Sequence, residues 1–245
     1  MNEDIHVILA PEQLGTLWGL PITNTLITSW IVLAILITTA LVMGNRLRLT
    51  PSRFQTLLEW VFSFVYDYVA DTLGSRDLAR RFFPLLVTLF LFIFTANIIE
   101  FTPGIGSIGF FEEGVFSPLL RSVNTDLNVT LALAIIAFVV IEVTGIAVLG
   151  LVTYGSKFIN LHSGIGFVVG IIELFSEVAR LISFSFRLYG NILAGEVLIL
   201  VAIHFIPYIG PVPLMAFEVF IGFIQAAIFA ILTLFFIKIA ITAPH

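Results

Sequence analysis

No cysteine occurs among the 245 residues, which excludes disulfides, thiolate nucleophiles and Cys-ligated metals. Charge is the second shortage. Only 11% of the chain is Asp, Glu, Lys or Arg, whereas a soluble domain carries about 25%. Apolar residues fill the gap: 59% of the chain is hydrophobic, 25 residues are Phe, and the mean hydropathy is +1.12. Such a chain is an integral membrane protein. A basic region ahead of an apolar core is missing from the N-terminal "MNEDIHVILAPEQ". Residues 1–21 are therefore expected to be a solvent-facing segment rather than a signal or transit peptide. Duplicated or inverted halves are also lacking, and with them the usual architecture of a secondary transporter. "GLVTYGSK" (150–157) has the glycine spacing of a phosphate loop. It ends Gly-Ser-Lys rather than Gly-Lys-Ser/Thr and reads as a helix end and loop.

Apolar runs place membrane spans at about 22–43, 82–101 and 127–152. Between the first two lies a segment of another kind. Pro51 suits a first helical turn, and Phe54, Leu57, Leu58, Val61, Phe62, Val65, Tyr68 and Val69 recur at helical spacing among Arg53, Glu59, Asp67 and Asp71. The pattern predicts an amphipathic helix over 51–75, lying on the membrane surface. From Gly164 to Ile206 the chain is nearly all apolar and contains no proline. As one helix it would run about 60 Å, twice the ~30 Å hydrocarbon core. It must either tilt strongly or break into two. "PYIGPVP" ends it, and the last run, 214–241, is again longer than an upright span needs.

Net charge does not orient a membrane protein; the positions of Lys and Arg do. If 164–206 crosses once, Arg46, Arg48, Arg53, Arg76, Arg80, Arg81, Lys157 and Lys238 share one side, and Arg121 stands alone on the other. Arg180 and Arg187 lie within the membrane. The expected fold is one all-α membrane domain over 1–245, with about five crossings, the N-terminus outside and the C-terminus cytoplasmic.

On a helical wheel, Glu173, Glu177, Arg180, Phe184, Arg187 and Asn191 form one narrow stripe, with steps of three and four residues. Glu196 lies half a rotation from Arg187, on the opposite face. Glu218 and Gln225 share a face of the last span. An arginine at a helix centre costs between about 2.5 and over 10 kcal/mol unless a partner, water or function offsets it. For Arg180, one turn from both Glu177 and Ser183, an ion pair with Glu173 or Glu177 is expected. Arg187 has Ser183, Phe184 and Asn191 as helical neighbours, none a carboxylate, so its counter-charge is expected from another helix or another protein.

"SFSFRLYGNILAGE", with "IIELFSEVAR" upstream and "EVFIGFIQAAIFAILT" downstream, and with "TDLNVTLALA" earlier in the chain, closely resembles the a subunit of F-type ATP synthases. The resemblance covers the whole chain in order. It implies a non-catalytic stator in which two long tilted helices, 164–206 and 214–241, curve around a ring of c subunits. Arg187 is implied to be the essential arginine facing the ring carboxylates. Asn191, Glu196, Glu218 and Gln225 are implied in an outer half-channel, and Glu173, Ser176 and Glu177 in a cytoplasmic one. The implied partners are the c-ring, the b subunits of the peripheral stalk, the rest of the FoF1 complex and the lipid bilayer. No nucleic acid, cofactor or metal is implied. The setting is a bacterial plasma (inner) membrane in preference to the mitochondrial inner membrane. Many relatives pair Glu with His at the positions of Glu196 and Glu218. Both are Glu here, which leaves no His relay at these positions, whereas two nearby carboxylates can share a proton.

Other polar residues have plainer readings. Asp126 and Asn128 precede a span, where helix capping is expected. His162 and His204 suit interfacial positions, and Glu142 suits a polar partner for the long helices. Two competing functions stand beside the stator. One is a secondary transporter or channel with Arg187 as the counter-charge of an anionic substrate. The other is a purely structural membrane subunit.

Overall fold

The computed structural model describes residues 11–242, with the exception of 18, 101–108, 113–114, 159–163 and 208. The first ten residues, the opening part of the Gly-rich loop that follows the second span, and His162 therefore lie outside the described residues. A two-stranded antiparallel hairpin, β1 (Gln13–Leu17) and β2 (Leu20–Thr23), leads into α1 (Asn24–Asn45). Then follow α2 (Arg53–Leu73), α3 (Arg76–Glu100), a second hairpin of β3 (Gly109–Glu112) and β4 (Val115–Pro118), and a 3-10 turn at Val123–Thr125. The chain continues through α4 (Leu127–Leu149), the short α5 (Leu151–Gly155), α6 (Gly164–Phe205) and α7 (Pro211–Ala240). Five of these helices, α1, α3, α4, α6 and α7, are long and apolar enough to cross a membrane. The protein is thus an all-α membrane protein, and the stretch expected at 164–206 is a single unbroken helix over Gly164–Phe205.

The helix ends differ from the hydropathy limits for local reasons. α2 starts where the Ser52 hydroxyl accepts the Gln55 N–H at 3.3 Å. It stops at Gly74, whose φ of +70° suits glycine and whose N–H reaches Ala70 O at 2.8 Å. Phe54, Leu57, Trp60, Val61 and Phe64 on α2 are all exposed, an apolar flank of the kind a surface helix offers to lipid. α3 begins at Arg76, six residues before the expected 82. Ala79 and Phe82 are buried, so packing draws the charged "RDLARR" turn into the helix although hydropathy excludes it. α4 ends at Leu149 rather than 152 because Gly150, at φ +83°, turns the chain and starts α5. α7 starts at Pro211, whose missing N–H costs nothing in a first turn. The two hairpins fall in segments read from sequence only as an acidic N-terminus and a loop.

The chain forms two compact units: 1–39 with 91–130 and 186–226, and 40–90 with 131–185 and 227–245. The first unit has a polar interior. Asn24, Thr25, Thr28, Asn97, Asn124, Asp126 and Thr130 are all buried. Asp126 caps α4 by accepting the Asn128 N–H at 2.9 Å, and its other oxygen accepts the Thr25 hydroxyl at 2.7 Å. The second unit has an apolar core built from Val69, Leu73, Phe82, Leu86, Ile141, Tyr154, Leu234 and Ile237.

Candidate functional site: two polar clusters on the long helices

In the first unit, Leu188 and Ile192 anchor the buried face of α6, and Arg187 sits half-buried at its margin. One turn on, Asn191 Nδ2 donates to Gln225 Oε1 of α7 at 2.7 Å. Gln225 is buried, and its Nε2 has no hydrogen-bond partner among the described residues. Asn97 of α3 ties α7 in place by donating to Gly222 O at 3.1 Å, while its Oδ1 accepts from Asn124 Nδ2. Glycine is required at 222, because a Cβ there would press on Asn97 Cβ at 2.9 Å.

The carboxylates gather further along the same helices. Glu218 is only 5% exposed. Its carboxyl lies so close to Gly195 that a Cβ on residue 195 would overlap the carboxyl carbon and both oxygens. Glu196 is half-buried, and Arg121 Nη2 stands 3.6 Å from its Oε2. Glu100 accepts the Ser122 hydroxyl at 2.8 Å and feels the charges of Glu196, Glu218 and Arg121. Four of the residues expected in one path, Asn191, Glu196, Glu218 and Gln225, thus share one unit. Sequence reading left two neighbours, Glu100 and Arg121, without a role in that path. One available signal was Arg121's isolation as the sole basic residue expected on its side of the membrane.

The second unit holds a different cluster. Lys157 lies just after α5, and its Nζ is 2.6 Å from Glu173 Oε1 and 3.1 Å from Glu177 Oε1. Arg180 Nη1 meets the other oxygen of Glu177 at 2.6 Å and stacks its guanidinium over Phe236 at 4.0 Å. Glu177 is 3% exposed, a buried charge held by two cations. Tyr154 donates its hydroxyl to Glu142 Oε2 at 2.9 Å, and Glu142 Oε1 is buried with no hydrogen-bond partner among the described residues. Burial alone would lower the Lys157 pKa, but hydrogen bonds to Glu173 and Glu177 outweigh it and the net shift is upward. Burial, then the bond to Glu142, pushes the Tyr154 phenol up as well. Glu173 and Glu177 come together through Lys157, a residue sequence reading left in a connector. Ser176, expected in the same path, is exposed on α6.

His204, expected at an interface, is exposed near the end of α6 with its ring against Phe205.

These features define a multi-pass helical membrane protein with ionisable clusters on two long helices. The family profile described as "ATP synthase A chain" matches residues 26–238. ATP synthase subunit a of Campylobacter jejuni is 34% identical over 203 residues, 83% of each chain. The subunit a of Moorella thermoacetica is 29% identical over 227 residues, covering 93% of this chain and 94% of its own. ATP synthase subunit a 2 of Syntrophotalea carbinolica is 30% identical over 217 residues, 89% and 85% of the two chains. The chain belongs to the ATP synthase A chain family.

Proposed function

We propose that this protein is the ion-translocating stator of a bacterial F-type ATP synthase, a subunit without catalysis of its own. The observation that carries the reading is Arg187, a half-buried guanidinium on an apolar 42-residue helix, beside the Asn191–Gln225 bond and with no carboxylate one turn away on α6. A ring of c subunits turns against α6 and α7, each subunit bearing one carboxylate. Facing lipid, that carboxylate stays neutral; beside Arg187 it ionises, because opposite charge favours the charged form. Arginine does not deprotonate in proteins, so Arg187 also blocks direct leakage between the two half-paths. Protons, or sodium ions, enter from outside past Glu196 and Glu218 with Asn191 and Gln225, and leave to the cytoplasm past Glu173, Ser176 and Glu177. Each charge that crosses delivers about 2.3 kcal/mol per 100 mV to ring rotation. The b subunits hold the protein still against that torque. The N-terminus faces outward and the C-terminus the cytoplasm.

The test is Arg187→Ala in the intact complex. Assembly should persist while ion-driven ATP synthesis is lost. Arg187→Lys should fail in large part too, since an ammonium can deprotonate and lacks the planar fork. Normal synthesis in Arg187→Ala would refute the assignment. A transporter would conduct as the purified chain alone, whereas the stator needs its ring.

A further inference from the structure

The second unit holds an ionic cluster whose organising group is not on either long helix. Lys157 is the only residue that contacts both Glu173 and Glu177 among the ion pairs of the described residues. It is fixed from several sides: its ammonium lies 5.8 Å from the Tyr154 ring and 5.6 Å from the Phe158 ring. The short helix and connector that carry it are themselves wedged. Tyr154 fills the space over Gly145 of α4, and a Cβ on Gly170 of α6 would run into the Phe158 carbonyl. Both glycines permit an approach that any side chain would obstruct, so the backbone on either side of Lys157 is held against α4 and α6.

The titratable groups around Lys157 come from α4, α5 and α6: the carboxyls of Glu142, Glu173 and Glu177, the guanidinium of Arg180 and the neutral phenol of Tyr154. Three carboxylates face two cations. Glu177 touches both cations, Glu173 touches Lys157, and Glu142 accepts the Tyr154 hydroxyl while its carboxyl also meets Glu177 and feels the charge of Lys157. With all three carboxyls ionised and Tyr154 neutral the cluster carries one surplus negative charge, so it can take up one proton without becoming positive.

We propose that Lys157 is a positioning residue of the cytoplasmic ion path, which holds the Glu173 and Glu177 carboxylates side by side and sets the proton affinity of the cluster. This rests on the stator reading. It adds a residue outside α6 and α7 to the ion path and makes the α5 connector part of the translocation machinery. Without the ammonium, three carboxylates face Arg180 alone, and like charges favour protonation.

ATP-driven proton pumping in inverted vesicles exposes this side to the bath, whose pH then titrates the path directly. Pumping per ATP hydrolysed is measured against bath pH with the whole complex. Lys157→Gln should move the alkaline limb upward by about one pH unit. Lys157→Arg should restore its position, since charge and reach are retained. The double variant Lys157→Gln/Glu173→Gln removes one charge of each sign and should return the limb to its wild-type position, although at lower amplitude. If Lys157→Gln does not assemble, the double variant decides. A Lys157→Gln profile that is merely lower, with its limb unmoved, overturns the proposal, as does a double variant whose limb stays displaced. Arg187→Ala in parallel separates the two readings: if it pumps normally the stator reading fails, whereas an unmoved limb with a dead Arg187→Ala sinks only the role of Lys157.

Discussion

Gly195→Ala adds one methyl group where the Glu218 carboxyl now lies. In an isolated helix the change would help, because alanine is favoured over glycine by about 1 kcal/mol. Here the new Cβ would overlap the carboxyl carbon and both oxygens of a side chain that is 5% exposed. Overpacking of this kind costs about 1–3 kcal/mol. The helix preference is common to both positions of Glu218 and cancels, so even at the low end roughly 1 kcal/mol weighs against the native arrangement, and the cheapest relief is for Glu218 to swing away. A bias of about 1 kcal/mol corresponds to a roughly fivefold loss of the native position. The complex should therefore assemble at normal levels while proton passage past Glu218 slows about fivefold. Amounts of assembled complex on native gels and ATP-driven pumping in inverted vesicles measure the two quantities. Glu218→Asp in the same background withdraws the carboxyl by one methylene and should recover part of the rate. The reasoning fails if Gly195→Ala pumps like wild type. It fails equally if the loss is matched by loss of assembly, or if Glu218→Asp worsens the variant as it would the wild type.

Asn97→Leu should destabilise the first unit by about 1–3 kcal/mol, because it strips the buried bonds to Gly222 O and Asn124 and leaves both without that partner; a lower thermal midpoint of the purified complex is the readout, and an unchanged midpoint would count against the packing role. For topology, a tag at the N-terminus should be reachable only from outside and a tag at His245 only from the cytoplasm; labelling of both from one side would rule out five crossings.

Much of the protein was legible in one dimension. The five crossings follow from hydropathy, since a span needs only enough consecutive apolar residues, a local property. The amphipathic helix α2 followed in the same way, from the regular recurrence of Phe54, Leu57, Val61 and their neighbours. The polar stripe on α6 was also visible, because helical periodicity turns spacing directly into a shared face. The Arg180–Glu177 pair needed no more than that.

Other features depend on residues far apart in the chain, and periodicity carries no information about them. Arg121 meets Glu196 from 75 positions away, and Lys157 reaches back from a connector to two glutamates on α6. Gly195 looked like any glycine within a helical block until α7 set the Glu218 carboxyl against it. The helix ends moved for a similar reason. Packing of Ala79 and Phe82 extends α3 through charged residues that hydropathy excludes, and the φ of Gly150 ends α4 early. The sequence alone determined that the chain spans the membrane and which residues share each helix face, because both follow from local composition and the 3.6-residue period. Only the tertiary structure decided which charges meet and which glycines must stay bare, because those depend on how closely helices distant in sequence approach one another.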